Sequence, residues 1–225
     1  MTPALELRGI EKRYRGKTVL RGASMSAEAG SITGLLGSNG SGKSTLLNLL
    51  AGVTRPNGGG FFWRGEELFR SPRRRAAAVG YVPQGTPLME ELSALDNLRL
   101  WYAAPALAAS LDHGALKALG VGEFLRVRAS RLSGGMKKRL CIGCALAASP
   151  ELLLLDEPST ALDLAGKAEL LDQLRRLRDG GTTLLIATHD LQEIALCDAL
   201  WLLRDGTLRP YAYDGDPAHL AAELG

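Results

Sequence analysis

Apolar and polar residues alternate along the chain with two different periods. Strand-like segments, which alternate with period two or form short apolar runs, occupy residues 5–10, 31–36, 60–63, 78–82, 152–155, 182–188 and 200–203. Helix-like segments, with apolar residues every three or four positions, occupy residues 43–51, 95–104, 136–148, 164–178 and 191–196. The pair Asp205-Gly206 between apolar runs predicts a late hairpin.

The order of these elements predicts an α/β fold built on a mixed β-sheet. Residues 152–155 and 184–186 are apolar without alternation, which is typical of strands covered on both faces of a parallel sheet. Antiparallel β portions are expected at the start and the end. Between Gln84 and Pro150 the strand signal stops and helical patterns take over. We therefore predict a single domain over residues 1–225, with a helical subdomain inserted at about residues 85–150.

Composition narrows the classes of protein. The 225 residues are 46% apolar and 23% charged, which suits one globular domain. The net charge is only +3 and aromatic residues make up 5%, so we expect no nucleic-acid partner. The chain shows neither the basic start of a secretory signal nor the roughly 20 successive apolar residues of a membrane span. The chain has an odd number of cysteines, which favours reduced thiols: Cys141, Cys144 and Cys197. The first two are expected in the core, on one face of a helix. We predict a cytoplasmic protein.

Residues 37–45 match the phosphate-binding pattern G-x-x-x-x-G-K-[ST], between an apolar strand and a helix. The candidate nucleotide-binding residues are Gly37, Ser38, Asn39, Gly40, Ser41, Gly42, Lys43, Ser44 and Thr45. Glycines allow backbone N–H groups to surround phosphate oxygens, and the start of the helix adds partial positive charge. Lys43 can reach the phosphates of ATP, and the Ser44 hydroxyl can ligate Mg²⁺. The strand and helix on either side disfavour the alternative of a glycine-rich turn without a ligand.

Two carboxylates follow the apolar run at residues 152–155. A buried strand would present Asp156 and Glu157 at its carboxyl end, where ligands bind to open α/β sheets. Asp156 is the candidate Mg²⁺ ligand, and Glu157 is the candidate catalytic residue that orients and polarises water. An acidic turn is the alternative, which the phosphate-binding loop makes less favourable.

The segment Leu-Ser-Gly-Gly-Met at residues 132–136 adds a more specific signal. It resembles the signature of the ATP-binding cassette family, whose fifth residue is usually glutamine. Other matches follow the order of that family: Tyr14 as the adenine-stacking aromatic, Gln84 as the Q-loop residue, residues 159–163 as the D-loop, and His189 as the switch histidine. The resemblance covers nearly the whole chain and implies a P-loop NTPase core that binds ATP and Mg²⁺.

The resemblance also implies roles for these residues. Gln84 would contact Mg²⁺ or the attacking water, and His189 would contact the γ-phosphate, so both join Glu157 as candidate catalytic residues. Ser133, Gly134 and Gly135 would cap the γ-phosphate held by a second copy, in a head-to-tail dimer around two ATP molecules. The alternative for this segment is a serine-capped helix that binds no ligand. The alternative for Tyr14 is an aromatic ring that only packs against the sheet.

The function implied is that of an ATPase subunit which powers a membrane transporter. Its partners would be an integral-membrane permease and a second cassette, and it would lie on the cytoplasmic face of the membrane. Apolar residues at 88, 89, 92 and 95 either form a docking groove for a permease helix or belong to the core. With Met136 in the fifth position, the signature resembles that of a subset of cassettes that drive ABC-2-type exporters. The alternative function is a soluble cassette ATPase such as an iron–sulfur assembly ATPase.

Overall fold

The computed structural model describes residues 3–160 and 162–224. The strands are β1 (Leu5–Tyr14), β2 (Lys17–Ala27), β3 (Ile32–Leu36), β4 (Gly58–Trp63), β5 (Glu66–Glu67), β6 (Val79–Val82), β7 (Leu152–Asp156), β8 (Thr183–Ala187), β9 (Ala199–Arg204) and β10 (Thr207–Tyr211). The α-helices are α1 (Lys43–Ala51), α2 (Pro72–Ala78), α3 (Ala94–Arg99), α4 (Ala104–His113), α5 (Ala115–Ala118), α6 (Gly134–Ala145), α7 (Leu164–Asp179), α8 (Leu191–Leu196) and α9 (Pro217–Leu224).

A six-stranded sheet forms the centre, in the order β10-β9-β3-β8-β7-β6. Its strands are parallel except β10, which returns antiparallel to β9 through the turn at Asp205-Gly206. Every residue of β3, β7 and β8 is buried, because helices or the second sheet cover both faces. The apolar runs without alternation were therefore interpreted correctly, and so was the late hairpin.

A four-stranded antiparallel sheet, in the order β2-β1-β4-β5, packs against α1 and the central sheet. The α/β class with mixed and antiparallel sheets is thus confirmed. Strand β2 was not predicted, since polar residues and Gly22 interrupt its alternation. Helix α2 was also missed, because its sequence PRRRAAA offers no apolar stripe. Its Arg74 bonds instead to carboxylates of Glu66 and Glu151, at 3.0 and 2.7 Å.

Residues 83–151, which we name the helical segment, contain helices and turns but no strand. The predicted helix at residues 95–104 was wrong as one element, because α3 ends at Arg99 and α4 starts at Ala104. Pro105 lies in the first turn of α4, a position that proline tolerates, whereas it would break the interior of a longer helix. Helix α6 starts two residues before its predicted start, where Ser133 caps it. In the described ranges, no helix is long and apolar enough to cross a membrane.

The core consists of two main apolar clusters on the two faces of the central sheet. One joins the sheet to the helical segment and α7, and the other joins it to α1 and the antiparallel sheet. Cys141 is buried and Cys144 partly buried in the first cluster, as expected for residues on one face of a helix. Burial raises the pKa of both thiols, to about 11 and about 12, so neither is a reactive thiolate at neutral pH. The central sheet therefore lies between two packed apolar layers.

Candidate functional site

Four parallel strands end at one edge of the central sheet and present the candidate residues there. Strand β3 leads into the loop at residues 37–42, and β6 ends just before Pro83 and Gln84. Strand β7 ends at Asp156, and its neighbour β8 ends just before Thr188 and His189. Because carboxyl ends of parallel strands share an edge, motifs far apart in sequence meet at one place.

The loop between β3 and α1 is shaped by close approaches that only glycine permits. At Gly42, φ is 112° and a Cβ atom would lie 2.9 Å from Cγ1 of Val19. At Gly37, a Cβ atom would lie 2.7 Å from the carbonyl oxygen of Leu203. The first turn of α1 follows directly, and the N–H groups at its start have no partners within the helix. The Ser41 hydroxyl is buried without a hydrogen-bond partner. This loop thus offers donors suited to an anion such as a phosphate.

The Lys43 ammonium lies inside this loop. Its Nζ donates to the carbonyl oxygens of Gly37 and Ser38, at 2.6 and 3.2 Å, and the residue is 6% exposed. Burial lowers the pKa of Lys43, while the nearby Glu157 and Asp156 carboxylates oppose that shift. An ammonium with so little water around it interacts strongly with an incoming anion.

Asp156 is buried at the end of β7, and burial raises the pKa of its carboxyl group. The nearby Ser44 hydroxyl acts on the pKa in the opposite direction. A hydroxyl and a carboxylate beside a phosphate-binding loop provide the oxygen ligands that Mg²⁺ prefers, with phosphate and water completing its shell. These residues therefore fit the metal that the sequence predicted.

Glu157 is the residue at which the other candidates converge. Its Oε2 accepts hydrogen bonds from Gln84 Nε2 at 2.9 Å and from Thr160 Oγ1 at 3.3 Å. Its Oε1 lies 3.4 Å from Nδ1 of His189. The side chain is only 12% exposed. The three residues predicted to be catalytic, Glu157, Gln84 and His189, are thus in direct contact.

The loop and the catalytic group line one open cavity of about 460 Å³, within the range typical of small-molecule sites. Its lining residues are Val19, Asn39, Gly40, Gly42, Lys43, Ser44, Thr45, Gln84, Glu157 and His189. Tyr14 is not among them. It ends β1 with 42% of its surface exposed, and Lys12 Nζ lies 4.6 Å from the centre of its ring. Its assignment to adenine stays a prediction.

The predicted signature residues lie apart from this cavity. Ser133, Gly134 and Gly135 line a different concavity together with Asp163 and Gly166. Ser133 caps α6 by accepting a hydrogen bond from the Met136 N–H at 3.2 Å. This confirms the cap, while any phosphate contact would need a ligand held elsewhere.

One buried residue of this region was not predicted. Glu193 is 1% exposed, and its Oε1 accepts a hydrogen bond from the backbone N–H of Ser159 at 3.0 Å. Burial raises its pKa. The only signal in the sequence was an acidic residue beside apolar Ile194 and Leu196. Glu193 thereby links α8, the helix after His189, to the predicted D-loop at residues 159–163. Ala161 of that loop lies outside the described residues.

Comparisons with known proteins agree with this geometry. Residues 20–160 match the family model described as ABC transporter. The Nod factor export ATP-binding protein I of Burkholderia lata is 36% identical, over 98% of this chain and 74% of that protein. The lipoprotein-releasing system ATP-binding protein LolD of Anaeromyxobacter dehalogenans is 37% identical, over 92% of this chain and 93% of that protein. These relatives do not favour the iron–sulfur alternative.

Solved structures show the same fold. A nucleotide-free ATP-binding cassette from an ABC transporter superposes with a TM-score of 0.84 at 22% identity, covering 98% of this chain and 96% of that one. A dimeric cassette bound to ADP and Pi in a post-hydrolysis state gives 0.81 at 25% identity, covering 94% and 100%. The chain therefore belongs to the ABC transporter family, as an ATP-hydrolysing subunit.

Proposed function

We propose that this chain binds Mg-ATP in the cavity of the 37–42 loop, hydrolyses it with Glu157, and thereby drives export through a membrane permease. The observation that carries the proposal is the position of the Glu157 carboxylate. It lies in the same cavity as Lys43 and Ser44, in contact with Gln84 and His189. A carboxylate beside a phosphate-binding loop is placed to act on a water molecule at the terminal phosphate.

The phosphates would be held by the loop and the start of α1. Backbone N–H groups and the Lys43 ammonium would bind their oxygens, and the Ser41 hydroxyl offers an additional unused group. Mg²⁺ would be held by Ser44, Asp156 and Gln84, and would neutralise charge on the phosphate oxygens. Because Gln84 Nε2 already donates to Glu157, its Oε1 remains available to the metal.

Hydrolysis depends on the contacts of Glu157. Its carboxylate would accept a proton from the attacking water. The hydrogen bonds from Gln84 and Thr160 fix the orientation of that carboxylate, so little reorganisation is needed during the reaction. His189, 3.4 Å away, would donate to the terminal phosphate and so report its loss.

A second copy would complete the site. Ser133, Gly134 and Gly135 lie at the start of a twelve-residue helix, outside the cavity of their own chain. In a two-fold dimer, a surface that does not serve its own subunit can serve the partner's site. Each of two ATP molecules would then lie between the P-loop of one copy and the signature of the other.

The proposed permease partner is supported by an exposed apolar surface on the helical segment. Met89, Leu100 and Trp101 are 60%, 57% and 67% exposed, while Leu88 and Leu95 pack against the core. Of the apolar residues near position 90, Leu88 and Leu95 thus belong to the core, while docking of a permease helix at Met89 remains part of the proposal. Export is supported by relatives named for Nod factor export and for macrolide export. We place the subunit on the cytoplasmic face of the membrane, where ATP is available.

Measurement of ATP turnover tests the catalytic part. Glu157→Gln keeps the shape and the hydrogen bond from Gln84 but removes the base, so turnover should fall by at least ~10²-fold. Nucleotide affinity should stay within a factor of about two, because the phosphate-binding groups are unchanged. Near-normal turnover would remove Glu157 from its role, although the family assignment would stand.

Crosslinking in native membranes tests the partner. A photocrosslinker attached to Met89→Cys should capture an integral-membrane protein, with a yield that changes on addition of ATP. Val53→Cys is the matched control, because Val53 is similarly exposed at 64% but lies in the turn after α1, outside the helical segment. Capture of soluble proteins alone at position 89, or equal yields at both positions, would contradict a permease at this surface.

A further inference from the structure

Lys138 is a buried ammonium that the proposed chemistry does not use. It lies in α6 with 3% of its surface exposed, close to the sulfur of Cys141. Burial lowers its pKa, while the nearby acidic groups Glu193 and Asp156 oppose that shift. Burying a positive charge is costly unless specific partners hold it. The partners of Lys138 therefore bear on its role.

Its hydrogen bonds reach the first two residues of the helical segment, directly after the end of β6. Lys138 Nζ donates to the carbonyl oxygens of Gln84 at 3.3 Å and Pro83 at 3.5 Å. The side chain of the same Gln84 donates to Glu157 Oε2 at 2.9 Å. A continuous path of contacts thus runs from α6, through the backbone and side chain of Gln84, to the proposed catalytic carboxylate.

The two neighbouring basic residues make different contacts. Lys137 pairs with Glu90 at 3.0 Å, at the protein surface. Arg139 lies over the ring of Phe124 at 5.3 Å, donates to the Leu119 carbonyl at 3.5 Å and pairs with Glu169 of α7 at 3.7 Å. Of this basic run, Lys138 is the residue whose hydrogen bonds reach the catalytic edge of the sheet.

We propose that Lys138 is a positioning residue, which holds the backbone at Gln84 so that the Gln84 side chain meets Glu157. This inference rests on the proposed roles of Gln84 and Glu157. Because Ser133 caps α6 and Lys138 lies in the same helix, α6 connects the signature to the Gln84 backbone. A displacement of Gln84 by about 1 Å would misalign the catalytic carboxylate, which can cost up to ~10²-fold in rate.

Substitution of Lys138 with methionine or glutamine tests this role. Methionine fills the same space without a donor, so Lys138→Met should lower kcat by about 10-fold to 100-fold, with KM for ATP changed by less than about twofold. Lys138→Gln restores an N–H donor and should recover most of kcat. Lys137→Met is the matched control on the same helix and should leave kcat unchanged. Thermal unfolding of each variant checks that the fold is kept.

The same substitution in a Gln84→Ala background separates positioning from a general structural effect. If Lys138 acts through Gln84, Lys138→Met should lower kcat little further once the Gln84 side chain is gone. Equal losses of kcat in both backgrounds, or normal kcat in Lys138→Met alone, would overturn this inference while leaving the ATPase site intact. Normal kcat in Gln84→Ala alone would overturn the role of Gln84 and this inference together.

Discussion

Ser133 and the 37–42 loop lie in different cavities of one copy, so we expect each ATP site to be composite, with residues from both copies of a dimer. Mixing two inactive variants tests this arrangement. In one copy, Ser133 lines a concavity with Asp163, while Lys43 lines the cavity of Glu157. Lys43→Ala removes the ammonium from the loop. Ser133→Arg places a long cation at the exposed start of α6. If each ATP lies between two copies, either variant alone damages both sites of its dimer and should be nearly inactive.

The expected recovery can be worked out from this arrangement. In a heterodimer of the two variants, one composite site carries both lesions and the other carries neither. Random mixing in equal amounts gives about half heterodimers, each with one intact site of two, so activity should return to about a quarter of the wild-type value if the sites are independent. Loss of the Ser133 cap should cost about 1 kcal/mol of unfolding free energy, or about 2–4 °C in Tm at this size.

Phosphate release is measured across mixing ratios, below the unfolding range of both variants. Subunits carrying different affinity tags allow heterodimers to be isolated and counted. Ser133→Ala is the control, because it removes the cap without the bulk of arginine and should retain more activity. A complete absence of recovery in confirmed heterodimers would refute independent composite sites. Two explanations would then remain. Either Ser133 acts within its own chain, or hydrolysis requires both sites of the dimer to be intact.

Two other predictions concern the sheet and the buried carboxyl group near the site. Gly34→Ala should lower the free energy of unfolding by about 1–3 kcal/mol, because the added Cβ would lie 2.6 Å from Cδ2 of Leu200. Urea unfolding should show that adding Leu200→Ala restores part of this loss. Gly122→Ala is the control and should change stability little, because the space around Gly122 is open. Burial raises the pKa of Glu193 in the folded chain. The protonated carboxyl group therefore stabilises the fold fully below 4.5, the pKa of the unfolded chain, and this stabilisation is lost as the pH rises through the folded pKa. Glu193→Gln should therefore gain stability relative to wild type as the pH rises above 4.5 in urea unfolding, and a stability difference that does not change with pH would contradict the assignment.

The residues around the phosphate-binding cavity were predictable because their signals are local. The 37–45 pattern needs only a strand before it and a helix after it, and the structure has β3 and α1 there. Asp156, Glu157 and His189 each follow a strand that is apolar enough to be identified as buried. Since parallel strands share a carboxyl edge, strand identity alone brought these residues together.

Other features depend on tertiary contacts and leave weaker traces in a sequence. Burial of Lys138 and Glu193 results from packing of α6 and α8 against the central sheet, and single-residue type gives no sign of it. Strand β2 was missed because polar residues and Gly22 interrupt its alternation, although it pairs with β1 in the folded chain. Local pattern thus predicts where the ligand-binding edge lies, whereas the supporting contacts require the folded chain.

The backbone at Glu157 has a conformation that is unfavourable for glutamate. Its φ is 44°, a left-handed conformation that costs an ordinary residue about 1–2 kcal/mol. Among the described residues, Arg15, Arg64, Ser149 and Asp205 also have positive φ, and of these only Asp205 offers a carboxylate. At Glu157 the conformation is held by the backbone N–H, which donates to the Ala187 carbonyl at 2.8 Å. Glycine would adopt this backbone without strain, whereas glutamate places a carboxylate in the cavity that Lys43 also lines, as the proposed role in hydrolysis requires.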